Sequence, residues 1–312
     1  MKYAIISDIH GNIHAFEAVL ADAVAQGVSQ YLLLGDYTSG FPYGNDVVNT
    51  MRRLTPCTVI RGNGEGYLID LMGKDPAELT NEQFKPVYWA YRSLSADNLD
   101  YLAGLPESIT LEDGGANIFI THQMPLYFRK PKIALFHPGD LRDMMQAAPF
   151  AHEAYLARAK AALLDCPEAV AEMDAMPAGI YLSGHNHLQF YMKHGGKLFI
   201  NPGSCGEPLD WDVRAAYTIL TVDEAEWRVD ERRVSYDWDA AAEALVQSGF
   251  ASYAPVWTQI MEMELRTAKD EFTPFVMHLM ETAKLMGQVE YPVNNKVWQC
   301  AVSTWRLNKK LN

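Results

Sequence analysis

Cysteine is scarce and scattered. Cys57, Cys166, Cys205 and Cys300 stand apart, with no Cys-x-x-Cys pair. That argues against a disulfide framework and for free thiols in a reducing compartment, so a cytoplasmic location is expected. The chain has no apolar run long enough to span a bilayer, and no membrane partner is expected. Its start, one lysine followed by a strand pattern without a small-residue cleavage site, does not read as a signal peptide. Basic charge is also short: 26 Lys and Arg stand against 39 Asp and Glu, for a net charge of −13. Gripping nucleic acid by phosphate neutralisation needs the opposite balance, and no aromatic–basic stripe is evident, so a nucleic-acid partner is not expected. Internal repeats and low-complexity tracts are absent. What remains is an ordinary globular composition over 312 residues, enough for one large core or a domain with an appendage.

The opening stretch sets the pattern. Tyr3 to Ile6 is a short apolar run of β-formers and reads as a buried strand; Ser7-Asp8-Ile9-His10-Gly11-Asn12 then turns abruptly polar. If the chain stays extended there, Asp8 and His10 point the same way, and together they can hold a metal ion. Gly11 allows a sharp exit, and Asn12 suits the N-cap of a helix running to Gly27. The unit repeats: a strand at 31–34 ends in Gly35-Asp36, and after a helix near 46–53 a strand at 57–60 ends in Arg61-Gly62-Asn63-Gly64-Glu65. Alternating β and α predicts a layered α/β architecture, with ligands at the carboxyl ends of the strands.

Residues 66–104 read mostly as helix, with stripes over 81–94 and 96–102. A hairpin follows around Asp113-Gly114-Gly115, its second strand ending at Thr121-His122. The stretch 123–178 is proline-containing, carries the basic cluster Arg129, Lys130 and Lys132, and shows helical patterns near 141–147 and 153–164. It reads as an insertion, either a lid that contacts substrate or a solvated helical elaboration. Core strands then resume at 179–182, ending in Ser183-Gly184-His185-Asn186-His187. Paired strands at 189–193 and 197–200 close on Asn201-Pro202-Gly203-Ser204, and a last pair spans 215–222 and 227–234. From about 237 the pattern changes to helices over 240–247, 256–269, 275–286 and 294–305, read as a packed helical region able to serve as a contact between copies.

Five strand ends therefore carry Asp8 with His10, Asp36, Asn63, His122, and His185 with His187. Two carboxylates, four imidazoles and one amide are too many for a single tetrahedral ion and suit two ions sharing a ligand. Mixed nitrogen and oxygen ligation favours manganese, with iron, zinc or nickel as alternatives, over magnesium.

In this order the motifs resemble the calcineurin-like metallophosphoesterase superfamily, and Ser-Asp-Ile-His-Gly-Asn at 7–12 with Asn-Pro-Gly-Ser at 201–204 resembles its small bacterial and archaeal phosphodiesterase branch. The resemblance covers roughly 1–235 apart from 123–178. It implies a four-layer αββα sandwich for 1–236, to which 237–312 is a C-terminal helical extension. It implies a first metal on Asp8, His10 and His187, a second on Asn63, His122 and His185, and Asp36 bridging them. It also implies in-line attack on phosphorus by a hydroxide shared by the ions, with Asp36, Asn63 and His122 at the catalytic centre. The expected substrate is a small phosphodiester or nucleotide. Phosphomonoesters, dinucleoside polyphosphates and phosphoproteins are the alternatives, and a non-enzymatic scaffold binding partners through its C-terminal helices is the reading from another class.

Two positions depart from the family pattern. Where the family has Gly-Asn-His, with the histidine assigned to leaving-group protonation, this chain has Gly62-Asn63-Gly64. His14, one helical turn past His10, is the substitute donor to consider, and Asn12 at the helix start is a candidate anion contact. Ser39 stands where an extended form of the motif has an acid. Glu65 is read as a support for the Asn63 loop.

Overall fold

The computed structural model describes residues 1–127, 152–223, 226–288 and 290–305. Two five-stranded sheets face each other. The first has strand order β10-β9-β1-β2-β3 and the second β4-β5-β6-β8-β7. In the first, β1 (Lys2–Ile6), β2 (Gln30–Leu33) and β3 (Cys57–Val59) run parallel, while β9 (Ala215–Val222) and β10 (Trp227–Val234) are antiparallel. In the second, β5 (Ala116–Thr121), β6 (Gly179–Leu182) and β8 (Lys197–Pro202) are parallel. The antiparallel strands β4 (Ser108–Asp113) and β7 (Gln189–His194) form its edges. The glycine pairs predicted to turn β4 into β5 and β7 into β8 do so: Gly114, Gly115, Gly195 and Gly196 all have positive φ, as a two-residue hairpin turn requires.

Strand alternation decides what each face meets. Tyr3 and Ile5 of β1 point between the sheets, where they pack with Leu32, Ile118, Ile120, Ile180, Leu182, Leu198 and Leu220. Ala4 and Ile6 point the other way, onto Phe16 and Val19 of α1 (Ile13–Ala25) and Val47 of α2 (Gly44–Arg53). The outer face of the second sheet, through Tyr181, Phe190 and Phe199, is covered by Tyr155, Leu163, Ala169 and Met173. Those residues belong to α6 (His152–Leu164) and α7 (Pro167–Ala175). The molecule is thus an αββα sandwich, as the sequence led us to expect. Each fully buried Leu or Ile contributes about 1.5–3 kcal/mol to holding the layers together.

The described ends of the 123–178 stretch supply part of the fourth layer, and the predicted helix near 141–147 lies outside the described residues. α7 was not expected; its Pro167 opens the first turn, a signal available in the sequence. The helix expected over 81–94 is divided, a 3-10 turn at Glu82–Phe84 leading into α4 (Lys85–Ser93), because Pro86 has no N–H to continue a ladder. The C-terminal helices are α8 (Trp238–Gln247), α9 (Phe250–Tyr253), α10 (Pro255–Thr267), α11 (Phe272–Leu285) and α12 (Asn295–Thr304). Their Leu245, Trp257, Phe275 and Trp298 share one apolar core with α1, α2 and the back of the first sheet. No described helix is long and apolar enough to cross a membrane.

Candidate metal centre

The candidate ligands gather where the two sheets' strand ends meet, but not by the local route expected. β1 ends at Ile6, and Asp8 and His10 are left-handed, with φ of 54° and 50°, rather than extended. Asp36, His185 and His187 are left-handed too, at 57°, 70° and 52°. Each such residue costs about 1–2 kcal/mol of backbone strain, although Asp and His tolerate the region better than most. Backbone hydrogen bonds running past the strand ends hold the turns: Asp8 N to Gly35 O at 3.0 Å, His10 N to Asp36 O at 3.0 Å, and Gly11 N to Tyr37 O at 2.8 Å. On the other flank, Cys205 N and Gly206 N donate to Ser7 O and Asp8 O at 2.9 and 3.0 Å. Asn201 ties Asn-Pro-Gly-Ser to the histidine loop, its Nδ2 donating to Gly184 O at 2.8 Å. Gly184 itself admits no side chain, since a Cβ there would lie 2.0 Å from Ser7 Oγ.

Two groups of ligand atoms result, Asp8 with His10 and His187, and Asp36 with His122 and His185. Asn63 joins the second: its Oδ1 lies 3.1 Å from His122 Nε2. Three imidazoles present Nε2 to the centre because Nδ1 donates to a carbonyl: His10 to Ser39 at 3.0 Å, His122 to Leu34 at 2.7 Å and His187 to Glu207 at 2.6 Å. This fixes the ring orientation that a metal-binding histidine needs. The Gln123 side-chain amide lies 3.0 Å from His185 Nε2.

Asp36 lies between the groups, its Oδ2 3.3 Å from His122 Nε2 and 4.0 Å from His10 Nε2, while Oδ1 accepts from Gly64 N at 2.7 Å. Buried Glu65 accepts from Asp36 N, Tyr37 N and Gly62 N, each at 2.9 Å, so it braces both the Asp36 turn and the Asn63 loop.

The electrostatics call for positive charge. Burial and the nearby Asp36 push the Asp8 carboxyl up, whereas His122 overcomes burial to pull Asp36 down. Burial opposes charge on His122, yet the Asp36 carboxylate prevails and raises its pKa to about 10. Burial and neighbouring imidazoles lower His185 and His187 to about 4. His10 Nε2 and His187 Nε2 are only 3.2 Å apart with their other nitrogens already committed, so two lone pairs face each other unless a cation or proton lies between. Buried carboxylates, convergent imidazole nitrogens and that close pair together fit divalent metal ions.

The other expected site residues fall elsewhere. Asn12 caps α1, accepting from Ala15 N at 3.2 Å, and its amide donates to Gly206 O and Tyr236 Oη at 2.9 and 3.3 Å, which commits the side chain to structure. His14 stands edge-on to the Tyr43 ring at 5.9 Å, lining a surface cavity of about 430 Å³ with Glu17, Asp46 and Arg53. Arg129, Lys130 and Lys132 lie outside the described residues. Glu207 was missed: its Oε2 comes within 3.8 Å of His10 Nε2, and nothing but its place shortly after Asn-Pro-Gly-Ser could have signalled it.

A sandwich with such a centre defines a metallophosphoesterase-type protein. Residues 1–225 match the calcineurin-like phosphoesterase superfamily domain, and the chain belongs to that family. It is 26% identical over 262 residues to the uncharacterized protein MJ0912 of Methanocaldococcus jannaschii, covering 78% of this chain and 92% of that one. The fold is similar to a metallophosphoesterase from Sphaerobacter thermophilus, with a TM-score of 0.59, 24% identity, and 86% and 100% of the two chains covered. It is also similar to the hypothetical protein PH1004 of Pyrococcus horikoshii OT3, with a TM-score of 0.61, 17% identity, and 83% and 97% covered.

Proposed function

We propose that the protein is a phosphoester hydrolase that works with two divalent ions, manganese first among them, and acts on a small phosphodiester or nucleotide. The observation that carries this is the place of Asp36, one buried carboxylate beside both ligand groups. Bound there, two divalent ions would supply a nucleophile from water near neutral pH and neutralise phosphoryl oxygens. The chain's own part is positioning. Asp8, His10 and His187 would hold one ion, and Asn63, His122 and His185 the other. Asp36 would hold both, kept in place by Gly64 N and, through its own backbone, by Glu65.

Position 64 carries no proton donor, and a Cβ there would already lie 3.0 Å from Asp36 Oδ1. This favours a substrate whose leaving group departs with little proton assistance. Arg129, Lys130 and Lys132 would contact the substrate phosphate if their segment folds over the site; reversing their charge should then raise KM much more than it changes metal content, and unchanged kinetics would count against that role.

The test is hydrolysis of an activated diester, bis-p-nitrophenyl phosphate, beside its monoester by manganese-loaded protein. We expect the diester to turn over at least about tenfold faster, about 1.4 kcal/mol in the barrier. A faster monoester would make the protein a phosphomonoesterase. Turnover of neither by ion-loaded protein would move the reading to a non-enzymatic scaffold.

A further inference from the structure

We propose that Glu207 supplies an additional carboxylate oxygen to the first ion, from a loop that the C-terminal helices clamp in place. The inference rests on the two-ion reading above. Glu207 Oε2 is 3.8 Å from His10 Nε2 and 4.0 Å from His187 Nδ1, with the side chain only 18% exposed. Ligand bonds of about 2.0–2.2 Å let two donors on one ion lie up to about 4.4 Å apart, and the separation from His10 Nε2 meets that limit. The carboxylate is not gathered with Asp8 and His187 as those ligands are with each other, so joining them calls for a rotation of the Glu207 side chain toward the ion. No Lys or Arg among the described residues pairs with this carboxylate; its ionic partners there are the two histidines of the first group.

The backbone around Glu207 is fixed to the same ligands. Its carbonyl accepts from His187 Nδ1 at 2.6 Å. Its N–H donates at 2.8 Å to Ser204 Oγ, which in turn donates to Asp8 O at 2.7 Å. Gly206 packs directly against the turn that bears Asp8 and His10, since a Cβ there would lie 1.8 Å from Ile9 O. One peptide segment therefore touches the backbone of Asp8 and Ile9 and the ring of His187 while carrying a carboxylate toward His10.

The far side of the loop is held from outside the family-matched residues. Trp211 N donates to Ala268 O at 2.8 Å, Asp210 forms a β-bridge with Lys269, and the Lys269 ammonium lies 4.2 Å from the Trp211 ring centroid. Ala268 and Lys269 directly follow α10. The helical extension thus reaches back to the loop that bears Glu207, and a role follows for it: it keeps that carboxylate over the first ion.

The test is calorimetric titration of metal-stripped full-length protein with manganese, backed by metal analysis, for wild type, Glu207→Gln, Glu207→Ala and Lys269→Ala. Wild type should bind two ions in distinguishable steps. Both Glu207 variants should weaken one step by about 10–100-fold and leave the other within about twofold, and Lys269→Ala should weaken the same step by a few-fold. The metal-free melting temperature of the Glu207 variants should match wild type. Two unchanged steps in both Glu207 variants would overturn the proposal while leaving the two-ion reading intact. So would a loss of metal-free stability that accounts for the weaker binding. Wild type that binds no manganese would overturn both.

Discussion

The two ligand groups are alike in composition and unlike in support. In the first, Asp8, His10 and His187 are all left-handed, both imidazoles are locked by backbone carbonyls, and the 203–211 loop closes over them. In the second, His122 is locked by the Leu34 carbonyl, but His185 and Asn63 face the exposed side chain of Gln123 at 3.0 and 3.5 Å. The two groups are buried alike, two of the three residues in each being buried and the third half-buried, so what separates them is what holds their side chains. Left-handed residues occur in both groups, so the difference expected comes from the carbonyl-locked imidazoles of the first: its ion should bind the more tightly and the second should be the more exchangeable.

The largest break expected in that comparison comes from removing what the groups share. Under the proposed two-ion reading, in which the Asp36 carboxylate holds both ions, Asp36→Asn should lower turnover by about 10³-fold or more and weaken both. Esterase assays with metal analysis would show it, and a variant that lost only one ion would contradict the sharing. Next come the individual imidazoles. His187→Gln should abolish or weaken the tighter step by about 10–100-fold, and His185→Gln should do so to the weaker step. Calorimetry in which both variants lose the same step would erase the asymmetry.

Proton linkage sharpens the comparison further. In the metal-free protein the His122 pKa is about 10, against 6.5 for an ordinary histidine. Its proton therefore stabilises the fold fully below pH 6.5, and that contribution fades as pH rises toward 10. The second ion must displace this proton, so its affinity should rise about tenfold per pH unit in that window, with about one proton released. Titration in buffers of differing ionisation enthalpy measures that release, and none would contradict the assignment. His185 and His187, lowered to about 4, act oppositely: unfolded chains take up those protons first, so metal-free protein should lose stability as pH falls from 6.5 toward 4. The smallest effects are expected at Gln123→Ala, a few-fold on the second step alone, and at His14→Ala, no change in turnover or metal content.

The same contrast explains what could be read from the sequence. That the candidate ligands would gather in space was legible because each follows a short apolar strand, and strand ends in a layered α/β fold converge. The left-handed turns were not, because a dipeptide such as Ser7-Asp8 is equally at home in an extended strand; long-range bonds such as Asp8 N to Gly35 O select the turn. Glu207 was hidden for a similar reason. Nothing in Gly206-Glu207-Pro208 marks a site residue, and packing against Ile9 and Ala268–Lys269 is what brings the loop inward. The C-terminal helices were visible as helices from their apolar spacing. That they share a core with α1 and α2 is a tertiary fact, set by Trp257, Phe275 and Trp298 facing the back of the first sheet.

The central claim is that Asp36 joins two ions into one centre. Metal-stripped protein titrated with manganese and followed by electron paramagnetic resonance tests it directly. The account predicts a spin-coupled pair once two equivalents are bound, and loss of the coupling in Asp36→Asn. Two uncoupled ions, or a single ion at saturation, would contradict it.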